Sequence, residues 1–140
     1  MTRFVLDTDM ISLLQRGQPT VAAHVRSHEH IDVATTIISV EEQHSGWYTL
    51  LRRAKTAKEL VPVYERMSET VRFFGRLPLL TFSDEAAGFY ERLRKQKPRT
   101  GRMDLRIAAI ALAHGAAVVP RNVNDFADIE NPLVFDWSRQ

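Results

Sequence analysis

No cysteine occurs among the 140 residues. Disulfides, thiolate zinc sites and a cysteine nucleophile are therefore excluded, and an intracellular, reducing compartment fits that absence. No apolar run approaches the roughly 18 residues that a membrane helix needs. The N-terminal apolar stretch is only Phe4 to Leu6 before an aspartate, which is not a signal-peptide pattern. The expectation is a cytoplasmic protein with no membrane partner. Neither a glycine-rich phosphate loop nor a Gly-x-Ser-x-Gly elbow is found. No repeat or low-complexity tract interrupts the chain.

Apolar residues make up 44% of the sequence, enough for a sizeable core, and the length suits one domain over residues 1–140. Net charge is +2, too small to name a nucleic-acid partner by itself. The distribution says more. Basic residues gather at Arg52, Arg53, Lys55 and Lys58, and again at Arg92, Arg94, Lys95, Lys97, Arg99 and Arg102. Solvated helix faces account for each cluster singly. Basic rims around an acidic centre would also suit a polyanionic substrate.

Hydrophobic periodicity alternates between strand and helix. Residues 3–7 read as a strand, 9–16 as a helix stopped by Gly17, and Pro19 to about Ser27 as a second helix. A strand is expected within His30–Ile38. Ser39 begins a helix to about Ala54. Lys55–Arg76 forms another, with Leu60, Tyr64, Met67, Val71 and Phe74 on one stripe that suits core or a partner groove. Pro62 kinks it or marks its true start. A strand at Pro78–Phe82 precedes a helix capped by Ser83. The apolar helix from Met103 ends at Gly115. Ala116–Val119 and Leu133–Trp137 are the last strands, the latter at an edge. Such alternation predicts an α/β fold with a mostly parallel sheet.

The carboxylates carry the chemistry. Asp7 closes the first strand, where open α/β sheets face their ligands, although it could simply cap the next helix. Glu42 follows Ser39 by three, a capping-box spacing, and periodicity does not choose between it and Glu41. Asp104 opens a helix expected to be buried on most sides, where an acid is costly unless paired, hydrogen-bonded or metal-bound; the helix dipole is the alternative account, and a functional role is favoured here. Asn122 and Asp125 follow the strand 116–119 in a pattern that also resembles a capped helix start. Taken together, every one of these acids maps to a helix start. In a parallel sheet such positions can converge. Carboxylates within ~4 Å repel by about 4 kcal/mol per pair at an effective dielectric of 20, so they share a site only beside a cation. An all-oxygen shell suits Mg²⁺ or Mn²⁺ rather than zinc. His24 and His28, spaced i, i+4, lack a third ligand and read as surface residues.

Four motifs in order resemble the PIN domain, most closely the VapC toxins of toxin–antitoxin pairs: Leu6-Asp7-Thr8, Ser39-x-x-Glu42-x-x-x-Gly46, Asp104-x-x-Ile107-Ala108-Ala109 and Arg121-Asn122-x-x-Asp125-Phe126. The resemblance spans the chain. It implies a three-layer α/β/α sandwich on a short, mostly parallel sheet. It implies a metal-dependent endoribonuclease that hydrolyses RNA phosphodiesters with metal-activated water. A VapB-like antitoxin and a homodimer are the implied protein partners. Asp7 and Asp104 would be the principal metal ligands, with Glu42 and Asp125 completing the acids and Asn122 orienting water, metal or phosphate. Spacing to Gly46 favours Glu42 over Glu41. Thr8 would support Asp7. No role is carried onto Asp9, where the family often has a neutral polar residue. Pro120 stands where the family commonly has Thr or Ser, and Glu41 where it usually has a small or apolar residue; Met103 is tolerable filler.

Two other readings are kept. Asp7-Thr8-Asp9 satisfies the D-x-D start of haloacid-dehalogenase-like phosphatases, with Asp7 as nucleophile, although the downstream lysine and cap are not evident. The chain could also be a catalytically silent PIN-like domain that binds RNA or protein.

Overall fold

A computed structural model describes residues 3–96, 98–129 and 134–139. Among these residues, four strands form one all-parallel sheet: β1 (Phe4–Leu6), β2 (Val33–Thr36), β3 (Leu79–Leu80) and β4 (Ala117–Val119), in the order β3-β2-β1-β4. Among the described residues, six α-helices connect and flank them: α1 (Thr8–Gln15), α2 (Pro19–Arg26), α3 (Ile37–Arg53), α4 (Ala57–Phe74), α5 (Asp84–Lys95) and α6 (Arg102–Ala113).

The period-2 alternation of the strands sorts side chains to two faces. Val5, Ala34 and Val118 point to one core with α5 and α6 residues such as Leu93, Ile107 and Ile110. Leu6, Val33 and Val119 point to the other, with Met10, Ile11, Val21 and Phe74 of α1, α2 and α4. The result is the expected sandwich, helices on both faces of the sheet. The tightest layer is α5 against α6, where the run Ile107–Ala111 is fully buried. Small alanines let the helix lie close to the sheet. Gly115 takes φ +60° just past α6, the left-handed turn that L side chains resist.

Several expectations need correcting. Helix α3 starts at Ile37, not Ser39, because the Thr36 hydroxyl accepts the Ser39 backbone N–H at 3.4 Å and caps the helix. Pro62 lies inside α4, which begins at Ala57. The α4 stripe is not core: Phe74 is buried, but Tyr64 and Val71 are more than half exposed. The last strand shrinks to one bridge, Val118 to Val134, beside β4. Leu133 and Lys97 lie outside the described residues. None of the described helices is long and apolar enough to cross a membrane.

From β1 the chain steps to β2 and β3 on one side, then returns to lay β4 on the other. The order therefore reverses between β1 and β4. In open parallel sheets the crevice outside the strand carboxyl ends at such a reversal is where ligands sit.

Candidate active site

Asp7 lies at that reversal. It is the N-cap of α1, and its Oδ1 accepts the Met10 N–H at 2.8 Å. Its backbone N–H reaches across to the Val119 carbonyl at 3.2 Å. The Arg121 backbone N–H, from the turn after β4, also points at its carboxylate. Capping is thus real, yet it does not account for the group. Only 5% of Asp7 is exposed. Burial pushes its carboxyl up to about 7, the two backbone donors oppose this, and Asp9 and Asp104 push it further up. Desolvation outweighs the caps.

Asp104 is the third residue of α6 and half-buried. A helix N-terminus alone would favour its ionised form. Instead the carboxyl is pushed up to about 6, first by burial and then by Asp125, Glu42 and Asp9. The dipole account of Asp104 is therefore too weak, because like charges and desolvation win.

Glu42 is not part of a capping box. It lies in the second turn of α3, so the expectation that every acid opens a helix fails for it. Its Oε1 accepts from the Thr8 hydroxyl at 2.6 Å. The Thr8 oxygen also lies 3.0 Å from the Ser39 hydroxyl. A carboxylate can only accept, so the single Thr8 proton goes to Glu42 and the buried Ser39 hydroxyl donates to Thr8. This corrects the role expected for Thr8, whose hydroxyl orients Glu42 rather than supporting Asp7. Glu41, one residue earlier, is exposed.

Asp125 sits in a 3-10 turn, Val123–Phe126, capped by Asn122. Asn122 accepts the Asn124 N–H at 3.1 Å and donates to Asp125 Oδ1 at 3.3 Å. Thr100, from the loop before α6, donates to the Asp125 carbonyl at 2.8 Å and pins that turn from outside. Pro120 directly follows β4, where no ladder donor is needed. Asp9 is the acid that sequence reasoning set aside. It is exposed on α1, yet its charge acts on both Asp7 and Asp104. The Asp-x-Asp spacing after a strand was the available signal.

The acids thus surround one crevice without closing it. Among the described residues, no three His, Cys, Asp or Glu side chains are gathered tightly enough to hold a metal as they stand. In donor type and charge they nevertheless suit a hard divalent cation: their donor atoms are all oxygen, and burial first, then neighbouring carboxylates, raises two of the carboxyls. A groove of about 830 Å³ lies elsewhere, between α1, α3 and α4. It includes Trp47, Leu50, Phe73 and four arginines, and none of these acids.

No family model matches the chain. The FitAcB crystal structure from Neisseria gonorrhoeae superposes with a TM-score of 0.74, at 28% identity, over 98% of this chain and 99% of that one. The DNA-bound VapBC structure from Salmonella typhimurium gives 0.77 at 22% identity, over 98% and 99%. In sequence, the chain is 31% identical over 71 residues to Ribonuclease VapC2 of Rickettsia felis, 48% of this chain and 53% of that protein. The match thus takes in about half the length of that curated relative. Nearly full-length superposition shows that the chain shares the α/β fold of these structures, and over about half its length its sequence is similar to that of a VapC ribonuclease.

Proposed function

We propose that the chain is a Mg²⁺- or Mn²⁺-dependent endoribonuclease and the toxin of a VapBC-type toxin–antitoxin pair. One observation carries this reading: Asp104 is acted on at once by Asp125, Glu42 and Asp9, in the crevice that also holds buried Asp7. A fold without a cation to bind has no use for that cost. Asp7, Glu42, Asp104 and Asp125 would hold the cation. Bound there, it would lower the pKa of water and offset charge on the phosphate.

The chain's own groups set the geometry. Asp7 is locked by two backbone donors. Thr8, itself held by Ser39, aims Glu42. Asn122 aims Asp125. Because water attacks rather than the 2′-hydroxyl, products carry 5′-phosphate and 3′-hydroxyl ends.

The relatives' names support the partner half of the reading. The Salmonella and Haemophilus neighbours are VapBC structures, the Klebsiella neighbour is a toxin–antitoxin complex, and the Rickettsia relative is named a ribonuclease. The groove between α1, α3 and α4, with its apolar and arginine lining, fits an amphipathic acidic segment of a VapB-like antitoxin. A homodimer is proposed on the same likeness.

The test is cleavage of end-labelled structured RNA with Mg²⁺ or Mn²⁺, beside chelator, Asp7→Asn and Asp104→Asn controls. Cleavage that vanishes in all three controls and leaves 5′-phosphate ends is the expected result. An active Asp7→Asn protein would sink the assignment.

A further inference from the structure

A second cavity, of about 400 Å³, opens between α3, α5 and α6 and is lined by Ile38, Phe82, Ala87, Tyr90, Glu91 and Arg106. Its aromatic wall is organised. Phe82 and Tyr90 meet edge to face with centroids 6.0 Å apart. The Arg94 and Arg106 guanidinium carbons each lie 5.6 Å from the Tyr90 ring centroid. Phe82 remains 38% exposed. Arg94 is tied to Glu91 at 3.1 Å. The nearest polar partner of Arg106 is the Met103 sulfur at 3.5 Å, and among the described residues no carboxylate pairs with it.

This cavity adjoins the acidic crevice by construction. Ile38 precedes Glu42 by four residues on α3, so the two share a face about 6 Å apart along the axis. On α6, Arg106 follows Asp104 by two residues and turns to the opposite flank. Arg106 therefore lines the cavity, and it is not among the charges that act on Asp104. A flat ring, a second ring at right angles and an unpaired guanidinium suit a planar, hydrogen-bonding, anion-linked ligand. Unstacked bases of single-stranded RNA are bound in this way, on aromatic faces and arginine planes.

We propose that the Phe82–Tyr90–Arg106 cavity holds a nucleobase of the RNA strand next to the phosphate presented to the acids. It acts as a positioning subsite, with Tyr90 as the platform and Arg106 serving the base or its phosphate. This rests on the nuclease reading above. A cavity of about 400 Å³ has room for one base.

The test uses short oligoribonucleotides carrying 2-aminopurine at successive positions, added to the full chain in chelator so that nothing is cut. Quenching at one position is expected in the wild type and in Tyr90→Phe, with quenching lost and affinity down ~10-fold in Tyr90→Leu and Phe82→Leu. With Mn²⁺, the same two leucine variants should raise KM for RNA about as much. They should leave hydrolysis of bis(p-nitrophenyl) phosphate, a diester without a base, unchanged. No quenching at any position, or quenching that survives Tyr90→Leu, overturns the proposal. So does a wild-type dimer that Tyr90→Leu dissociates and RNA does not compete with, since the face would then join two copies. Position-specific quenching without cleavage of either diester would support the base subsite while removing the nuclease reading.

Discussion

The Thr8 hydroxyl donates to Glu42 at 2.6 Å across two helices, and its own oxygen is held by Ser39. Residue 8 therefore aims a carboxylate 34 positions away. Thr8→Val keeps the shape and removes the donor. Cleavage should fall roughly 10–100-fold, the range for losing an outer-shell partner, while Thr8→Ser stays near wild type. Initial rates of RNA cleavage at saturating Mn²⁺ check this, with circular dichroism to confirm folding.

Asp7 and Asp104 also predict how metal-free stability varies with pH. Both have folded-state values raised above 3.8, to about 7 and about 6. Between those limits the native state binds more protons than the unfolded chain, so stability falls as pH rises. The contribution is full below about pH 4 and lost once pH has passed about 7. For Asp7 the swing is on the order of 4 kcal/mol. Thermal melts in chelator should give a lower Tm at pH 8 than at pH 5.5. A flat or rising profile would contradict the burial of these groups.

Removing one of these charges should act in opposite directions on stability and activity. Asp7→Asn keeps an acceptor for the Met10 N–H and discards a buried charge. Its Tm at pH 8 in chelator should exceed that of the wild type. Adding Mn²⁺ should raise the wild-type Tm through ligand linkage and barely move that of Asp7→Asn. Differential scanning fluorimetry reads both effects.

Pro62 sits six residues into α4, where it lacks an N–H for the helix ladder. An interior proline costs roughly 3 kcal/mol. Pro62→Ala should therefore stabilise the protein by about 1–3 kcal/mol in urea unfolding, without changing cleavage, because α4 contributes none of the candidate acids.

Much of this was legible in the sequence. Strand–helix alternation announced the parallel sandwich, and Asp7 and Asp104 were readable because an acid at a strand end or a buried helix start is conspicuous. Boundaries depended on competition between neighbouring hydroxyls: Thr36 and Ser39 both suit a cap, and only the burial of β2 through Thr36 decides it. That decision moves Glu42 from a helix start into the second turn. The Thr8–Glu42 bond is a long-range contact that no local pattern encodes. The α4 stripe misled because amphipathic spacing says which residues share a face, not whether anything covers it.

The order of strands has a consequence for synthesis. Asp7 is made within the first ten residues, but its neighbour on the sheet, β4, and the donor from Arg121 come more than a hundred residues later. Asp125 comes later still. A ribosome-bound chain can form β1, α1, α2 and β2 while the crevice has only one wall. The acids are brought together only once the segment carrying β4, Asn122 and Asp125 has emerged, so a growing polypeptide without it has no complete crevice.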